Sequence, residues 1–353
     1  MRARPRVSRT RLAISFVLGV AIVGAVVWFI DTNELTYEKA WQALLTISVV
    51  WQGLLIAAGV LNIVVYPFTV LVAIPALTYW RGFIERQSGF LISNAIPGGG
   101  AVAVGTQYAI LNRYQVPPAL SAAAVSADAV WTYLLTLGLP AIGAGLLVIE
   151  GRHNAQLTVL AIVGLVAVVV SLVVIATLLR SESGARRVGT WGQAVANRVY
   201  RIVKRPPPDI VGGAVTFHET AHDLVARKWL ALTITNVAAQ ATPFVVLLAA
   251  LAGLGVLPAE ISLIEAFAAY SAAILLTSFP ITPGGLVTVD AALIGLLVAF
   301  GASPAEAAAA DVVWRLVWFL PQLLVGTVTF LGYLIARRRR SSVIPRASTS
   351  TSD

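Results

Sequence analysis

Two histidines flank a glutamate in the only segment of this chain with a metal-peptidase pattern. His218, Glu219 and His222 fit His-Glu-x-x-His. In that pattern one helix turn aligns two zinc ligands, and the glutamate acts as general base. Asp223 places a charge where zinc peptidases have an uncharged residue, and no histidine follows His222 in the chain. A zinc membrane peptidase is therefore kept as an alternative function.

The same segment also has the spacing of an amphipathic helix. Apolar residues and the two histidines recur every three or four positions, while charged residues occupy the neighbouring face. This interpretation predicts a helix on the cytoplasmic membrane surface, with no metal, no cofactor and no catalytic residue. The apolar face would contain Val211, Val215, His218, His222, Val225 and Trp229.

Three ionisable side chains lie in or beside apolar runs, where charge is costly and usually paired or turned towards a cavity. These are Asp128, Asp290 and Arg315. We predict that they belong to a binding site. The alternatives are structural: Asp311, four residues before Arg315, could pair with it along one helix. Asp128 could cap a helix or face water, and Asp290 could be stabilised by a helix dipole.

A glycine-rich break occurs twice in apolar sequence. Residues 97–100 read Pro-Gly-Gly-Gly and residues 283–285 read Pro-Gly-Gly, 186 positions apart. Pro118 and Pro304 share the same offset. This register predicts two internal repeats, the arrangement in which transporters place a substrate path at the repeat interface.

Each break exposes backbone groups at membrane depth, because proline removes a donor and glycine permits sharp turns. Such backbone must be buried in protein or line a watery cavity, where amides at a helix start can bind phosphate. Arg81 and Arg86 before the first break and Arg113 after it all favour the cytoplasm. We therefore predict a re-entrant hairpin over residues 90–111. The alternative is a tight kink that lets helices pack closely.

The composition predicts an all-α, polytopic integral membrane protein. Hydrophobic residues make up 58% of the chain and charged residues 12%, and the mean hydropathy is +0.85, far from a water-soluble protein. The chain has no cysteine, which excludes disulfides and thiolate chemistry. About eight runs approach the length of a membrane crossing: 12–30, 44–66, 119–140, 157–179, 229–254, 262–281, 286–300 and 312–335.

Basic residues concentrate in three segments that flank the apolar runs. The net charge is +9, and its position beside spans favours membrane orientation over nucleic-acid binding. We expect both termini in the cytoplasm of a bacterial cell, with the protein in the cell membrane. The predicted division is a basic N-terminus (1–11), a first repeat (12–179), a linker (180–228), a second repeat (229–336) and a disordered tail (337–353).

The residues around both breaks resemble the flippase-like integral membrane domain of bacterial lysylphosphatidylglycerol synthases. The first family motif matches residues 94–99, Asn-Ala-Ile-Pro-Gly-Gly, and the Leu-Asn-Arg corner at 111–113. The second matches residues 280–286, Pro-Ile-Thr-Pro-Gly-Gly-Leu. Val287 replaces the family's glycine and Asp290 its usual glutamate. A Gly-Glu-x-x-Arg segment that follows the first break in many members is absent from this sequence.

The resemblance implies a stand-alone member without the synthase domain, and therefore not an enzyme. We expect it to move or bind a phosphate-bearing lipid, either a phospholipid or an isoprenoid lipid, through alternating exposure of a polar cavity. Arg315 would attract the phosphate, while the two acids would engage a cationic portion or balance the arginine. The alternative is a non-transporting partner of an envelope-lipid enzyme, alone or as a homo-oligomer. The predicted lipid-binding residues are Asn94, Pro97, Gly98, Gly99, Asp128, Thr282, Pro283, Gly284, Gly285, Asp290 and Arg315.

Overall fold

The computed structural model describes residue 42 and residues 45–96, 99–151, 155–203, 209–278 and 282–341. These residues form helices joined by short turns, with no strand among them. The predicted first span, 12–30, and residues 342–353 lie outside this part of the chain. The helices are α1 (Val49–Val65), α2 (Phe68–Ala73), α3 (Tyr79–Ala95), α4 (Gly100–Arg113), α5 (Pro118–Ile149), α6 (Ala155–Arg180), α7 (Glu182–Val203), α8 (Ile210–Gly253), α9 (Leu263–Leu275), α10 (Thr288–Phe300), α11 (Pro304–Trp314) and α12 (Leu320–Ser341).

The all-α, polytopic prediction is confirmed. Five described segments are long and apolar enough to cross a membrane, and α6 and α9 occupy two further predicted runs. A π-helical turn, Arg315–Phe319, joins α11 to α12 without breaking the long helix. The five segments are Val49–Ala73, Pro118–Ile149, Ala221–Gly253, Pro283–Phe300 and Pro304–Ala336.

The first glycine break lies at the tip of a helical hairpin. Helices α3 and α4 pack against each other on either side of it. The Arg81 guanidinium, near the start of α3, lies 5.3 Å from the Tyr114 ring at the end of α4. The hairpin therefore returns to the level at which it began. Its 17-residue first arm is about 25 Å long, shorter than the hydrocarbon core.

The second break has the same construction. Helices α9 and α10 pack together, and a Cβ on Gly301, just after α10, would lie 3.1 Å from the Glu260 carbonyl oxygen before α9. Gln115 and Gly301, 186 positions apart, both have positive φ, 60° and 132°. Each is followed by a helix with proline at its start, where the fixed φ of proline suits the first turn. The corner after each hairpin is thus repeated.

The two hairpins open towards opposite ends of the molecule. Helix α5 begins beside the base of the first hairpin and ends at Ile149, and the next residue, Glu150, accepts a hydrogen bond from Ser262 at the base of the second. Helix α12 runs back, and Arg113 donates to the Ala336 carbonyl. The tips meet, because α3 contacts the 3₁₀ turn Pro283–Gly285. This is the arrangement of an inverted repeat.

The predicted surface helix around residues 211–229 is continuous with the span that follows it. Both belong to α8, which has 44 residues and is about 66 Å long, roughly twice the hydrocarbon thickness. Residues 214–242 contain no proline or glycine, so the helix continues unbroken from the predicted surface segment into the span. Its N-terminal part packs on α7, where Gly189 brings the two backbones together at Val211.

Candidate functional site

A cavity of about 600 Å³ lies where the two hairpin tips meet. Its volume is within the range of small-molecule sites. Both breaks line it, and α1, α5, α8 and π-turn residues complete the wall. The break residues in the wall are Ile96, Gly99, Gly100, Thr282, Gly284 and Gly285.

One side of this cavity carries a buried ion pair. Arg86 Nη1 donates to Asp128 Oδ2 at 2.7 Å, and the two side chains are only 7% and 12% exposed. The Arg86 guanidinium also lies over the Tyr66 ring, 4.4 Å from its centroid. From the sequence, Asp128 was expected to pair with another charge or to face a cavity, and in the structure it does both. Burial of such a pair at membrane depth is costly unless each charge is compensated.

Arg86 lines the cavity, although it was not predicted from the sequence to belong to the site. It was interpreted as a cytoplasmic flanking charge like Arg81, but only 6% of its surface is exposed. The physical reason is that Arg86 lies two turns into α3, which points from the hairpin base towards the cavity. One signal was present in the sequence: Glu85, Arg86, Gln87 and Ser88 form a polar run next to apolar helix, and all four are buried.

Other polar residues in and beside the wall are uncharged. Asn62 Nδ2 donates to Gln322 Oε1 at 3.0 Å, and Thr242 Oγ1 donates to Asn62 Oδ1 at 2.9 Å. These bonds join α1, α8 and α12. Gln240 Nε2 also donates to Thr136 Oγ1 at 3.2 Å. The wall therefore offers uncharged amides and hydroxyls there.

Several buried polar atoms of wall residues have no hydrogen-bond partner among the described residues. Buried polar groups are normally paired, and each unpaired one costs about 1–3 kcal/mol. These residues come from both hairpins and from two long helices, α5 and the helix that contains the π turn and α12, so the cost is concentrated around the cavity. The atoms are Arg86 Nε, Asp128 Oδ1, Ser278 Oγ, Thr282 Oγ1, Trp318 Nε1 and Gln322 Nε2.

The second pair of predicted charges lies behind the second break. Arg315 Nε donates to Asp290 Oδ1 at 2.6 Å, and Nη1 donates to the Gly284 carbonyl at 3.1 Å. Nη2 approaches the Gly285 carbonyl at 3.5 Å. Neither Asp290 nor Arg315 is among the described residues that line the cavity. The guanidinium thus holds the backbone of the break.

Arg315 does not form an ion pair with Asp311 within its own helix, which was the structural alternative. Its ion pair is with Asp290 of α10 rather than with Asp311 of its own helix. Asp311 is buried close enough to interact electrostatically with both. Asp290 Oδ2 also accepts the Val287 backbone N–H at 2.7 Å, so the acid caps α10 as the helix-dipole alternative proposed.

The remaining predicted residues lie at or near the tips. Asn94 lines the cavity, and its Nδ2 donates to the Phe90 carbonyl at 2.9 Å. Thr282 also lines it, whereas Pro283 is buried in the 3₁₀ turn. Pro97 and Gly98 lie outside the described residues.

The two histidines of the His-Glu-x-x-His segment contact the end of α6. His218 Nδ1 lies 2.9 Å from the Leu178 carbonyl oxygen, and His222 Nδ1 lies 2.5 Å from that of Leu179. These carbonyls belong to the last turn of α6, where carbonyl oxygens have no N–H partner within the same helix. In the described part of the chain, no three histidine or acidic side chains come together as a metal-binding group.

Comparison with known families gives a match over most of the chain. Residues 16–326 match the model described as lysylphosphatidylglycerol synthase TM region. That range includes both hairpins, the cavity and both ion pairs. None of the curated proteins compared with the chain matches it.

Proposed function

We propose that this chain, which belongs to the lysylphosphatidylglycerol synthase transmembrane-region family, moves a phosphate-bearing lipid between the leaflets of the bacterial cell membrane. The family associates it with lipid handling in a membrane. The observation that carries the proposal is the polar cavity between two opposed hairpin tips, with an arginine in its wall.

Arg86 is the residue to which we assign the phosphate. It is the cation among the described wall residues, and its Nε–H has no hydrogen-bond partner in the part of the chain that the structure describes. A guanidinium can bind Asp128 through one edge and a phosphate oxygen through another. Asp128 would then orient Arg86 and reduce the cost of burying it. The role first given to Arg315 passes to Arg86, because Arg315 is already engaged by Asp290 and the Gly284 carbonyl.

The opposed hairpins provide a route for alternating exposure. One tip approaches the cavity from each end of the molecule, so displacing either tip would open the cavity towards one leaflet. Arg315 and Asp290 would brace the second tip during that movement. We place the first hairpin's base and both termini on the cytoplasmic side, because Arg81, Arg113 and the basic end of α12 cluster there.

The proposal is tested by measuring lipid movement with purified protein in liposomes. A phospholipid labelled with a fluorophore on an acyl chain is bleached from outside by dithionite, and the bleached fraction reports exchange between leaflets. We expect exchange with the wild type and its loss in Arg86→Gln. The matched control is Arg186→Gln, which removes an exposed arginine that pairs only with Glu182 within α7.

Exchange that is unchanged in Arg86→Gln would exclude Arg86 from the path. A wild type that binds lipid without exchanging it would contradict transport and favour a non-transporting role. Thermal unfolding of each variant in detergent separates lost transport from lost folding.

A further inference from the structure

We infer that the tip of the second hairpin contains a proton-binding site, in which Asp290 and Asp311 share one proton beside Arg315, and that loss of this proton releases the tip. The inference goes beyond the proposed function, because it holds for any molecule that enters the cavity. It comes from the hydrogen bonds, charges and burial of the residues behind the second break.

Two acids and a single arginine are buried together behind this break. The side chains of Asp290 and Arg315 are 17% and 12% exposed, and Asp311 is 5% exposed. The ionisable groups that face Asp311 are Asp290 of α10 and Arg315 of the π turn, and α8, which also packs on α11, adds none among the described residues. With both acids ionised the group would have a net negative charge at membrane depth, which is costly. One bound proton makes the group neutral.

The hydrogen bonds assign this proton to Asp311. Both oxygens of Asp290 already accept from N–H groups, Oδ1 from Arg315 at 2.6 Å and Oδ2 from the Val287 backbone at 2.7 Å. Asp290 is therefore the ionised acid. Asp311 forms a hydrogen bond with the Asp290 carboxylate, and its Oδ1 has no partner in the described part of the chain. Two carboxyl groups can share a hydrogen bond only when one of them carries a proton, so Asp311 is the donor.

The same groups hold the backbone of the tip. Asp290 accepts the Val287 N–H, and Arg315 donates to the Gly284 carbonyl at 3.1 Å. Loss of the Asp311 proton would place two negative charges in contact, and these repel each other. The new charge would also attract Arg315 away from the Gly284 carbonyl. The protonated pair therefore favours a fixed tip, and the ionised pair favours a released one.

The first test is the pH dependence of stability. Above about pH 5 both acids are ionised in the unfolded chain, whereas the folded chain binds one proton at this pair. Stability falls with rising pH wherever the folded state binds more protons. Asp311→Asn introduces an uncharged donor of similar size that needs no proton. From about pH 5 to about pH 8, we expect the unfolding temperature of the wild type to fall relative to that of Asp311→Asn.

Asp290→Asn provides a second variant, because Asp311 then becomes the counter-ion of Arg315 and no longer needs a proton. It should lose the same pH dependence. Glu306→Gln is the matched control, since Glu306 lies on the same helix α11 but at its exposed start, where it accepts from the Ser303 N–H. This control should follow the wild type. A wild type that follows Asp311→Asn at every pH would overturn the inference.

The second test measures release of the tip by thiol labelling, because the chain has no cysteine. Ser278→Cys places a thiol in the cavity wall near the second break, and Thr190→Cys places one on the exposed surface of α7. Dividing the first labelling rate by the second removes the pH dependence of thiolate formation. Release linked to one proton predicts that this ratio rises by up to about tenfold per pH unit. With Asp311→Asn added, the ratio should stay constant.

The labelling result separates this inference from the proposed function, because it does not require lipid movement. A constant ratio without Asp311→Asn would overturn the proton-dependent release, even if lipid exchange were observed. A ratio that rises with pH while no lipid is exchanged would support the release and contradict the proposed function alone.

Discussion

In the described part of the chain, each repeat contains a buried arginine–aspartate pair. The hairpin supplies the arginine in the first repeat and the aspartate in the second. In the first repeat the hairpin supplies Arg86 and the following long helix supplies Asp128. In the second repeat the hairpin supplies Asp290 and the following helix supplies Arg315. Asp128 and Arg315 occupy nearly the same place, ten and eleven residues after the repeated proline.

The surroundings of the two pairs differ more than their chemistry. The first pair lies in the cavity wall and keeps unpaired atoms on both partners. The second pair bonds to the backbone of its own break through the Gly284 carbonyl and the Val287 N–H. The comparison shows that one position of a duplicated fold lines a cavity in one half and holds a loop in the other. It also predicts different responses to mutation.

Removing the second arginine should have the largest effect on stability. Arg315→Gln leaves Asp290 buried without its counter-charge, beside buried Asp311. We expect a loss of about 3–5 kcal/mol in the free energy of unfolding, the cost of breaking a buried ion pair from one side. Thermal unfolding in detergent measures it. A fully stable variant would show that this pair does not brace the tip, and the comparison between the repeats would fail.

The second break should also be sensitive at its glycines. Gly284 has φ of +60°, and an added Cβ would collide with the Phe319 ring. We expect Gly284→Ala to lower stability by about 1–3 kcal/mol. Gly295→Ala is the control, since Gly295 lies inside α10 with open space around its Cα and alanine favours helix. Equal effects of the two changes on unfolding temperature would contradict the close packing of this tip.

Val287 should be the position where stability can be gained. It is a β-branched residue at φ of 74°, a conformation in which side chains are strained. We expect Val287→Gly to raise the free energy of unfolding by about 1 kcal/mol. Val298→Gly, at a regular position of α10, should lower it instead. A loss of stability in both variants would show that Val287 is not strained.

Replacing the whole first pair should have the smallest effect on stability. A buried ion pair can often be exchanged for apolar residues of similar volume without loss, so Arg86→Met with Asp128→Leu should unfold near the wild-type temperature. Lipid exchange should nevertheless disappear, because the phosphate loses its cation. If this variant is well folded and still exchanges lipid, the Arg86–Asp128 pair does not bind the ligand, and the proposed difference between the two pairs fails.

The repeats and their breaks could be predicted because they depend on local chemistry. Proline followed by two or more glycines interrupts apolar helix at both breaks, and their spacing of 186 residues is visible in the sequence. The partners of the charges could not be predicted in this way. Asp290 and Arg315 were each suspected alone, and only the folded second hairpin brings them together. Arg86 was not predicted as a site residue because an arginine near the end of a span usually marks the cytoplasmic side of the membrane.

A π turn at Arg315–Phe319 adds a residue to the helix that follows the second break. Such a turn shifts the residues beyond it by about 100° around the helix axis. Gln322 and Thr136, 186 positions apart, still both line the cavity. Gly326 allows α12 to approach the Gln87 carbonyl closely, a contact that sequence comparison within the chain could not reveal.

The meeting of the hairpin tips also concerns the membrane potential. In the proposed transport, water would reach the hairpin tips from both ends, and the voltage would then fall mainly across the short gap between the tips instead of the whole hydrocarbon thickness. The Arg86–Asp128 pair is neutral, so an anionic headgroup crosses that gap with its charge uncompensated. At 100 mV, inside negative, the field favours the outer leaflet by about 2.3 kcal/mol per charge. If the protein moves an anionic lipid as we propose, that transport is electrogenic, and the resting potential of the cell gives it a direction.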